Sequence, residues 1–237
     1  MKRSGKITVT FFLNKNVKPE TPSPMIGEGD RYPLYLQVTY NRKNTQFRSF
    51  YLGCYASLDE ALSGKENTDK RKYEELLIRK VVEYEVRHKG KDFQLKGLND
   101  RYLNYSESIF FTVDQYFRNL IYSAVEKSDT VFKVILVPDN MQNASFDIYY
   151  KAAERLVNEL NNKLPFDFSE ERTMGMEFLA WVDAQKEEIR LIDWLDHSAI
   201  GAYKTYLIKQ KYEDVQVQKR IEFFNRLIKL TKGLVVY

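Results

Sequence analysis

Residues 32–41 alternate between apolar and polar side chains, and this pattern limits the fold more than any other feature of the chain. The apolar positions of the alternation are Leu34, Leu36, Val38 and Tyr40. Such a period of two predicts a strand with one buried face. Strand-like residues resume over 45–52 after a turn-forming segment, which predicts a β-hairpin with Arg42 and Lys43 at its tip.

A third strand and a covering helix complete the predicted N-terminal domain. Residues 6–13 are β-branched and aromatic, which is typical of a strand. Three strands with one apolar face need another element to bury that face. Thr68 or Asp69 is predicted to cap a helix that runs to His88 and ends at Gly90, and its apolar stripe consists of Tyr73, Leu76, Leu77, Val81 and Tyr84. We therefore expect a βββα domain over residues 1–91 that folds by itself.

The rest of the chain has mainly helical periodicity. Residues 91–108 are polar and predict a boundary with one short helical turn around 95–102. A second domain is expected over 108–237, with helices near 113–126, 145–162, 169–186, 198–208 and 214–232. Residues 131–137 could form a strand or a buried helix. The predicted class is α+β: an N-terminal three-stranded antiparallel sheet packed on a helix, followed by a mainly α-helical bundle.

Several functional classes conflict with the composition. No apolar run reaches the roughly 18 residues of a membrane-spanning helix, and no signal-like segment follows the basic N-terminus, so we expect a cytoplasmic protein without membrane contact. The single cysteine excludes an intramolecular disulfide framework and a structural zinc site, and we expect no metal and no cofactor. Cys54 is expected to have a packing role. The 17 tyrosines and 15 phenylalanines favour an interface.

The charge of the chain is unevenly distributed. Residues 1–57 contain nine Lys or Arg against three Asp or Glu, and residues 198–237 contain eight against three. The segment between them is acidic, because the whole chain has a net charge of only +4. Two positive ends indicate two contacts with a polyanion, and double-stranded DNA is the partner that we expect.

The N-terminal residues resemble a known DNA-binding domain. The stretch Lys6–Leu13, a variable loop and then Tyr32–Phe47 are similar to the arm-type DNA-binding domain of phage and conjugative-transposon integrases, which belong to the tyrosine recombinase family. In that family a three-stranded sheet backed by a helix lays its exposed face into the major groove. The resemblance therefore implies a DNA-binding protein of a mobile element, related to DNA integration and recombination.

The C-terminal half has a weaker likeness to the helical core-binding domain of the same family. It rests on 177–182, 189–192, 203–207 and 217–232. The family's catalysis uses a tyrosine nucleophile with two arginines, a lysine and a His-x-x-Arg element, all on a further domain. His88 is followed three places later by Lys91, and His197 by Ile200, so the His-x-x-Arg element is missing. Since the chain ends near where the hinge to that domain would begin, we expect no recombinase activity.

Candidate contact residues follow from the way a sheet face reads DNA. Lys and Arg neutralise phosphates, while amides and hydroxyls reach base edges. On the first domain the candidates are Lys6, Thr8, Thr10, Tyr35, Gln37, Thr39, Asn41, Arg42, Lys43, Gln46 and Arg48, and on the C-terminal helices they are Lys204, Lys219 and Arg220. We expect no catalytic residues among them.

Two alternatives to DNA binding stay open at this point. The chain could be a protein-interaction module of a mobile element that binds a partner or itself through its aromatic helices, without DNA contact. It could also be an enzyme whose cleft the sequence does not reveal, with Asp193 and Asp196 as a candidate carboxylate pair. The favoured interpretation is that one of these two aspartates caps a helix and the other is a surface charge.

Overall fold

A computed structural model describes residues 5–20, 30–126 and 168–234. The predicted α+β class is confirmed, with an antiparallel sheet first and a mainly helical region after it. The chain divides into two compact units, Met1–Ser106 and Glu107–Tyr237. The first unit thus extends past Lys91, where the sequence had placed the end of the N-terminal domain.

The sheet of the first unit has its longest strand in the centre. It consists of β1 (Thr8–Leu13), β2 (Tyr32–Tyr40) and β3 (Lys43–Arg48) in that order, and the two-residue strand β4 (Cys54–Tyr55) pairs with the start of β2. Leu34, Leu36 and Val38 are fully buried, while Tyr35, Gln37 and Thr39 between them are partly exposed. The alternation in the sequence therefore predicted the two faces of β2 correctly.

A two-residue turn joins β2 to β3. Tyr40 pairs with Lys43, so only Asn41 and Arg42 lie between the strands. Their φ angles are 49° and 64°, and positive φ at both central positions defines a type I′ turn. The turn is tighter than the four-residue segment that the sequence suggested, and Lys43 belongs to the strand rather than to the tip.

Three helices follow the sheet within the first unit. They are α1 (Leu58–Leu62), α2 (Lys65–Lys89) and α3 (Leu98–Tyr105), with a 3₁₀ turn at Gly90–Asp92. The sequence missed α1, which the Ser57 side chain caps by accepting a hydrogen bond from the Glu60 backbone. Gly64, rather than Thr68 or Asp69, precedes α2, whereas its predicted end at Gly90 is confirmed.

The buried stripe of α2 differs from the predicted one. Leu77, Val81 and Tyr84 are buried as expected, but Leu76 is 52% exposed. The stripe instead includes Glu74, Leu77, Ile78, Val81, Val82, Tyr84 and Glu85. Residues three or four positions apart lie on the same face of a helix. Positions 74, 78, 81 and 85 follow this spacing, and Leu76 lies outside it.

Two buried glutamates connect α2 to its neighbours. Glu74 accepts hydrogen bonds from the Ser49 hydroxyl and from the Phe50 backbone N–H, the latter at 2.7 Å. Glu85 lies between Lys89 and Arg101, with Arg101 Nε 2.7 Å from its carboxylate. Since a buried carboxylate needs donors around it, these contacts fix α3 and the chain after β3 against α2.

The stability of the first unit should depend on the protonation of Glu74. Burial raises the pKa of this carboxyl, although its hydrogen bonds lower it in part. The native state therefore keeps a proton that the unfolded chain, with an ordinary glutamate pKa of about 4.3, releases. The contribution of Glu74 to the free energy of unfolding is complete below that pH and is lost as pH rises through the native pKa.

Urea denaturation between about pH 4 and pH 8 tests this dependence. Glu74→Gln removes the titrating group, so this variant should gain stability relative to the wild type as pH rises. Glu66→Gln is the control. The hydrogen bond from Lys70 lowers the pKa of Glu66, and any small trend should have the opposite sign. A constant difference between Glu74→Gln and the wild type at all pH values would contradict the expectation.

The described part of the second unit consists of helices. They are α4 (Ile109–Glu126), α5 (Phe168–Asp183), α6 (Leu191–Leu195), α7 (Ser198–Lys209) and α8 (Asp214–Lys232). The predicted end of the last helix at Gly233 is confirmed by the left-handed φ of 66° at that residue. Ser198 is the first residue of α7 and His197 occupies the cap position. The predicted segments 131–137 and 145–162 lie outside the described residues.

Aromatic side chains form the core of this unit. Phe178 of α5 stacks on Phe224 of α8 with ring centroids 4.0 Å apart, and Trp194 and Tyr203 pack edge-on against Phe178. These rings are almost completely buried. Gly175 permits a close approach of α5 to α4, because a Cβ atom there would lie 2.4 Å from the Phe117 ring. The excess of aromatic residues therefore serves packing to a large extent.

None of the helices in the described part of the chain combines the length and apolar character that crossing a bilayer requires.

Candidate nucleic-acid interface

One face of the sheet is polar and exposed to a large extent. The face opposite to Leu36 and Val38 carries alternate residues of β1, β2 and β3 and of the segment before β1. We call this surface the open face, and it consists of Lys6, Thr8, Thr10, Phe12, Tyr35, Gln37, Thr39, Asn44, Gln46 and Arg48. Eight of these were predicted as DNA contacts, while Phe12 and Asn44 were not.

The strand register arranges the open face into three rows across the sheet. The rows are Thr8–Thr39–Asn44, Thr10–Gln37–Gln46 and Phe12–Tyr35–Arg48. Residues directly opposite each other on neighbouring strands have Cβ atoms about 5 Å apart, so each row acts as a unit. Two rows present hydroxyl and amide groups, and the third presents two rings, with centroids 6.0 Å apart, beside a guanidinium group.

A pair of amides lies at the centre of this surface. Gln46 Nε2 donates a hydrogen bond to Gln37 Oε1 at 2.6 Å. The Gln46 carbonyl oxygen and the Gln37 amino group keep further hydrogen-bonding capacity. A fixed acceptor next to fixed donors is the kind of arrangement that reads the edge of a base pair in the major groove.

Arg48 lies at the end of the face and is engaged by neighbouring groups. Its Nη2 atom is 2.9 Å from Glu20 Oε1 and 3.5 Å from Cys54 Sγ. Hydrogen bonds from the Cys54 thiol and from Arg48 lower the pKa of Glu20. Burial raises the pKa of the Cys54 thiol, and Glu20 adds to this effect. The Arg48 charge is thus partly neutralised on the surface.

The hairpin tip differs from the expected arrangement. Asn41 and Arg42 are exposed in the turn. Lys43 lies on the same side of β3 as Thr45 and the buried Phe47, which is the side opposite to the open face. The sequence had grouped Arg42 with Lys43 as neighbours at the tip, but the two-residue turn separates the directions of their side chains.

The C-terminal candidates belong to the second unit, and two of them are paired within it. Lys219 forms an ion pair with Glu170 of α5. Arg220 binds Glu177 with Nε at 3.1 Å and Nη2 at 2.8 Å, and only 11% of its side chain is exposed. Lys204 is exposed on α7. Carboxylates from α5 therefore neutralise much of the positive C-terminal charge, which reduces its value for binding DNA.

The distribution of charge along the sequence did not reveal this pairing. Glu170 and Glu177 belong to the acidic middle segment, more than 40 residues before their partners in the chain. Tyr212 strengthens the arrangement, because its hydroxyl donates to Glu177 at 2.6 Å and its ring lies 3.9 Å from the Arg220 guanidinium carbon. Folding brings together charges that look separate in the sequence.

Groups suited to metal binding are not clustered in the described ranges. No set of three or more His, Cys, Asp or Glu side chains there could hold a metal ion. Asp193 accepts a hydrogen bond from the Arg190 backbone at 2.8 Å, and Asp196 accepts one from the Ser198 backbone at 2.9 Å. Both carboxylates of the candidate pair thus bind backbone N–H groups at the ends of α6.

The chain matches no protein-family model, no curated protein and no solved structure.

Proposed function

We propose that this protein binds double-stranded DNA through the open face of its N-terminal sheet, as an integrase-type protein of a mobile element without the catalytic groups of a recombinase. The observation that carries the proposal is the central row Thr10–Gln37–Gln46, with flanking polar and aromatic rows on three adjacent strands. The resemblance of Lys6–Leu13 and Tyr32–Phe47 to arm-type domains supports the same function.

The dimensions of the open face suit the major groove. Neighbouring strands lie about 4.8 Å apart, so the outer two strands are separated by roughly 10 Å. This is close to the major-groove width of about 12 Å. A six-residue strand is about 20 Å long, which corresponds to about six base pairs at 3.4 Å each. The amides of Gln37 and Gln46 lie at the centre of such a contact.

The charge of the first unit fits the same function. Residues 1–57 carry six more Lys and Arg than Asp and Glu. Among the face residues Lys6 is exposed, and the nearby Arg42 is exposed in the turn. Cations around a polar surface supply the phosphate contacts that give affinity, while the amides and hydroxyls supply discrimination between sequences.

A fluorescence-anisotropy titration of labelled duplex DNA at several salt concentrations tests the proposal. We expect a Kd of about 10⁻⁴ M or tighter at physiological salt, with affinity falling as salt rises. Gln37→Ala with Gln46→Ala should reduce discrimination between duplexes of different sequence by about 1–3 kcal/mol and leave the salt slope unchanged.

Gln210→Ala is the matched control, because Gln210 is an exposed amide of the second unit. This variant should retain both the affinity and the sequence preference of the wild type. The absence of salt-dependent duplex binding by the full chain would refute the proposed function. If the double variant at Gln37 and Gln46 binds DNA with the same sequence preference as the wild type, the open face is not the surface that recognises the DNA sequence.

A protein-binding function of the second unit is the second candidate. Four large apolar side chains of its described helices are strongly exposed: Phe111 at 61%, Ile208 at 59%, Val215 at 78% and Leu230 at 66%. Exposed apolar side chains mark contacts between proteins where they form a contiguous patch. This function alone predicts no salt-dependent DNA binding, so the titration above separates the two candidates.

A further inference from the structure

A basic cavity lies beside the hairpin tip in the first unit. Its volume is about 580 Å³, and its lining consists of Arg42, Lys43, Asn44, Thr45, Gln94, Leu95 and Lys96. Three of these side chains are cationic, three have neutral hydrogen-bonding groups, and none is a carboxylate. The strand residues and the segment 94–96 form its two sides, and we call this cavity the tip pocket.

Contacts deeper in the unit hold the 94–96 side of the pocket in place. Arg101 Nη1 donates to the Lys96 carbonyl at 2.7 Å, and Nη2 donates to the Gln94 carbonyl at 2.6 Å. The Nε atom of the same guanidinium group is 2.7 Å from the fully buried carboxylate of Glu85. One arginine thus anchors the backbone of this segment to the core.

An aromatic contact connects the hairpin to the same segment. The rings of Tyr40 and Phe93 meet edge to face with centroids 5.5 Å apart. Tyr40 pairs with Lys43 at the end of the hairpin, and Phe93 directly precedes Gln94. Both sides of the tip pocket are therefore attached to each other, so the pocket exists before any ligand binds, which reduces the entropy lost on binding.

The cations of the tip pocket have no carboxylate partner, in contrast to several arginines of the described residues. Arg48, Arg79, Arg101 and Arg220 all form ion pairs. Within the described ranges, Arg42, Lys43 and Lys96 form none. Arg42 also has a left-handed φ of 64° at a turn position where glycine is preferred, which carries a conformational cost for any other residue. Function would explain an arginine at this position.

We propose that the tip pocket binds a phosphate group through Arg42, Lys43 and Lys96, with the amides of Asn44 and Gln94 as further donors. The pocket runs along the edge strand β3 and is lined from both of its faces, with Asn44 on the open face and Lys43 and Thr45 on the other. In a proposal that rests on the proposed function, this phosphate belongs to the backbone that flanks the groove entered by the open face. The pocket extends the DNA contact from the sheet to the segment before α3. Sequence reasoning had not identified Gln94 or Lys96 as contacts.

The salt dependence of duplex binding by the full chain tests the proposal. Lys96→Gln removes one phosphate contact, so the slope of log K against log salt should become shallower by about 0.9. Lys91→Gln is the matched control, because Lys91 is exposed in the 3₁₀ turn, carries the same charge and does not line the pocket. An equal slope for the two variants would overturn the proposal while the proposed function stands.

A second experiment separates the pocket from DNA binding. Inorganic pyrophosphate is titrated into the ¹⁵N-labelled protein, and we expect saturable shifts of the backbone amide signals of residues 42–45 and 94–96. Lys96→Gln should weaken this binding about fivefold, and Lys91→Gln should leave it unchanged. If the full chain binds no duplex but these shifts occur, the proposed function fails and the phosphate pocket is supported. If the amide signals do not shift, or if they shift over the whole protein surface, the proposed phosphate site is overturned.

Discussion

Replacing Leu36 with Asp should unfold the first unit, with a loss of about 4 kcal/mol or more in the free energy of unfolding. Leu36 is completely buried, and its partners across the sheet are Phe11 and Phe47. The substitution removes apolar contact and also places an unpaired carboxylate in the core. Such a loss approaches the whole stability of a small domain.

Hydrogen exchange measured by region should show this effect. Residues 32–48 of the Leu36→Asp variant should lose protection, while residues 198–232 of the second unit keep theirs. Thr10→Asp is the control on the neighbouring strand, because Thr10 is exposed on the open face. This change should alter stability by no more than about 1 kcal/mol. Protection of β2 in the Leu36→Asp variant at the wild-type level would mean that the two faces of the sheet are assigned the wrong way round.

A fragment of residues 1–106 should fold, whereas a fragment of residues 1–91 should lose cooperative unfolding. The shorter fragment lacks Leu95, Leu98 and Tyr102, all of which are buried at 5% exposure or less. Burial of three such side chains contributes about 5 kcal/mol. The shorter fragment also leaves the Glu85 carboxylate in the core without Arg101.

Thermal unfolding followed by circular dichroism distinguishes the two fragments. The longer one should have a single sigmoidal transition, and the shorter one a gradual loss of signal. Leu103→Ala in the longer fragment is a control, because Leu103 of α3 is 40% exposed and its loss should affect the transition only slightly. A cooperative transition of the 1–91 fragment at the temperature of the longer one would show that α3 is not needed for the fold.

Local sequence patterns were sufficient to predict the two faces of the sheet, because successive side chains along a strand point to opposite faces. The alternation from Leu34 to Val38 predicted the buried and open faces of β2, and with the strand assignments it predicted most residues of the open face. The ends of two helices were equally clear, because Gly90 and Gly233 have positive φ angles, which glycine adopts at little cost. These features depend on neighbours in the chain, so the sequence alone shows them.

Features that depend on distant neighbours were predicted less well. The stripe of α2 was assigned by hydrophobicity alone, so Leu76 was included and Glu74 and Glu85 were left out. A buried glutamate is stable only when donors such as Phe50 N–H or the Arg101 guanidinium group reach it, and those donors come from elsewhere in the chain. The role of α3 was missed for the same reason.

The sequence by itself determined the α+β class, the strands of the hairpin, the faces of β2 and the ends of the last helix, since these follow from local periodicity and turn chemistry. Only the tertiary structure decided which charges are available for a ligand. It pairs Lys219 and Arg220 with Glu170 and Glu177, and it leaves Arg42 and Lys96 beside one cavity. The physical reason is that Coulomb interactions depend on distance in space, and only the packing of the elements fixes those distances.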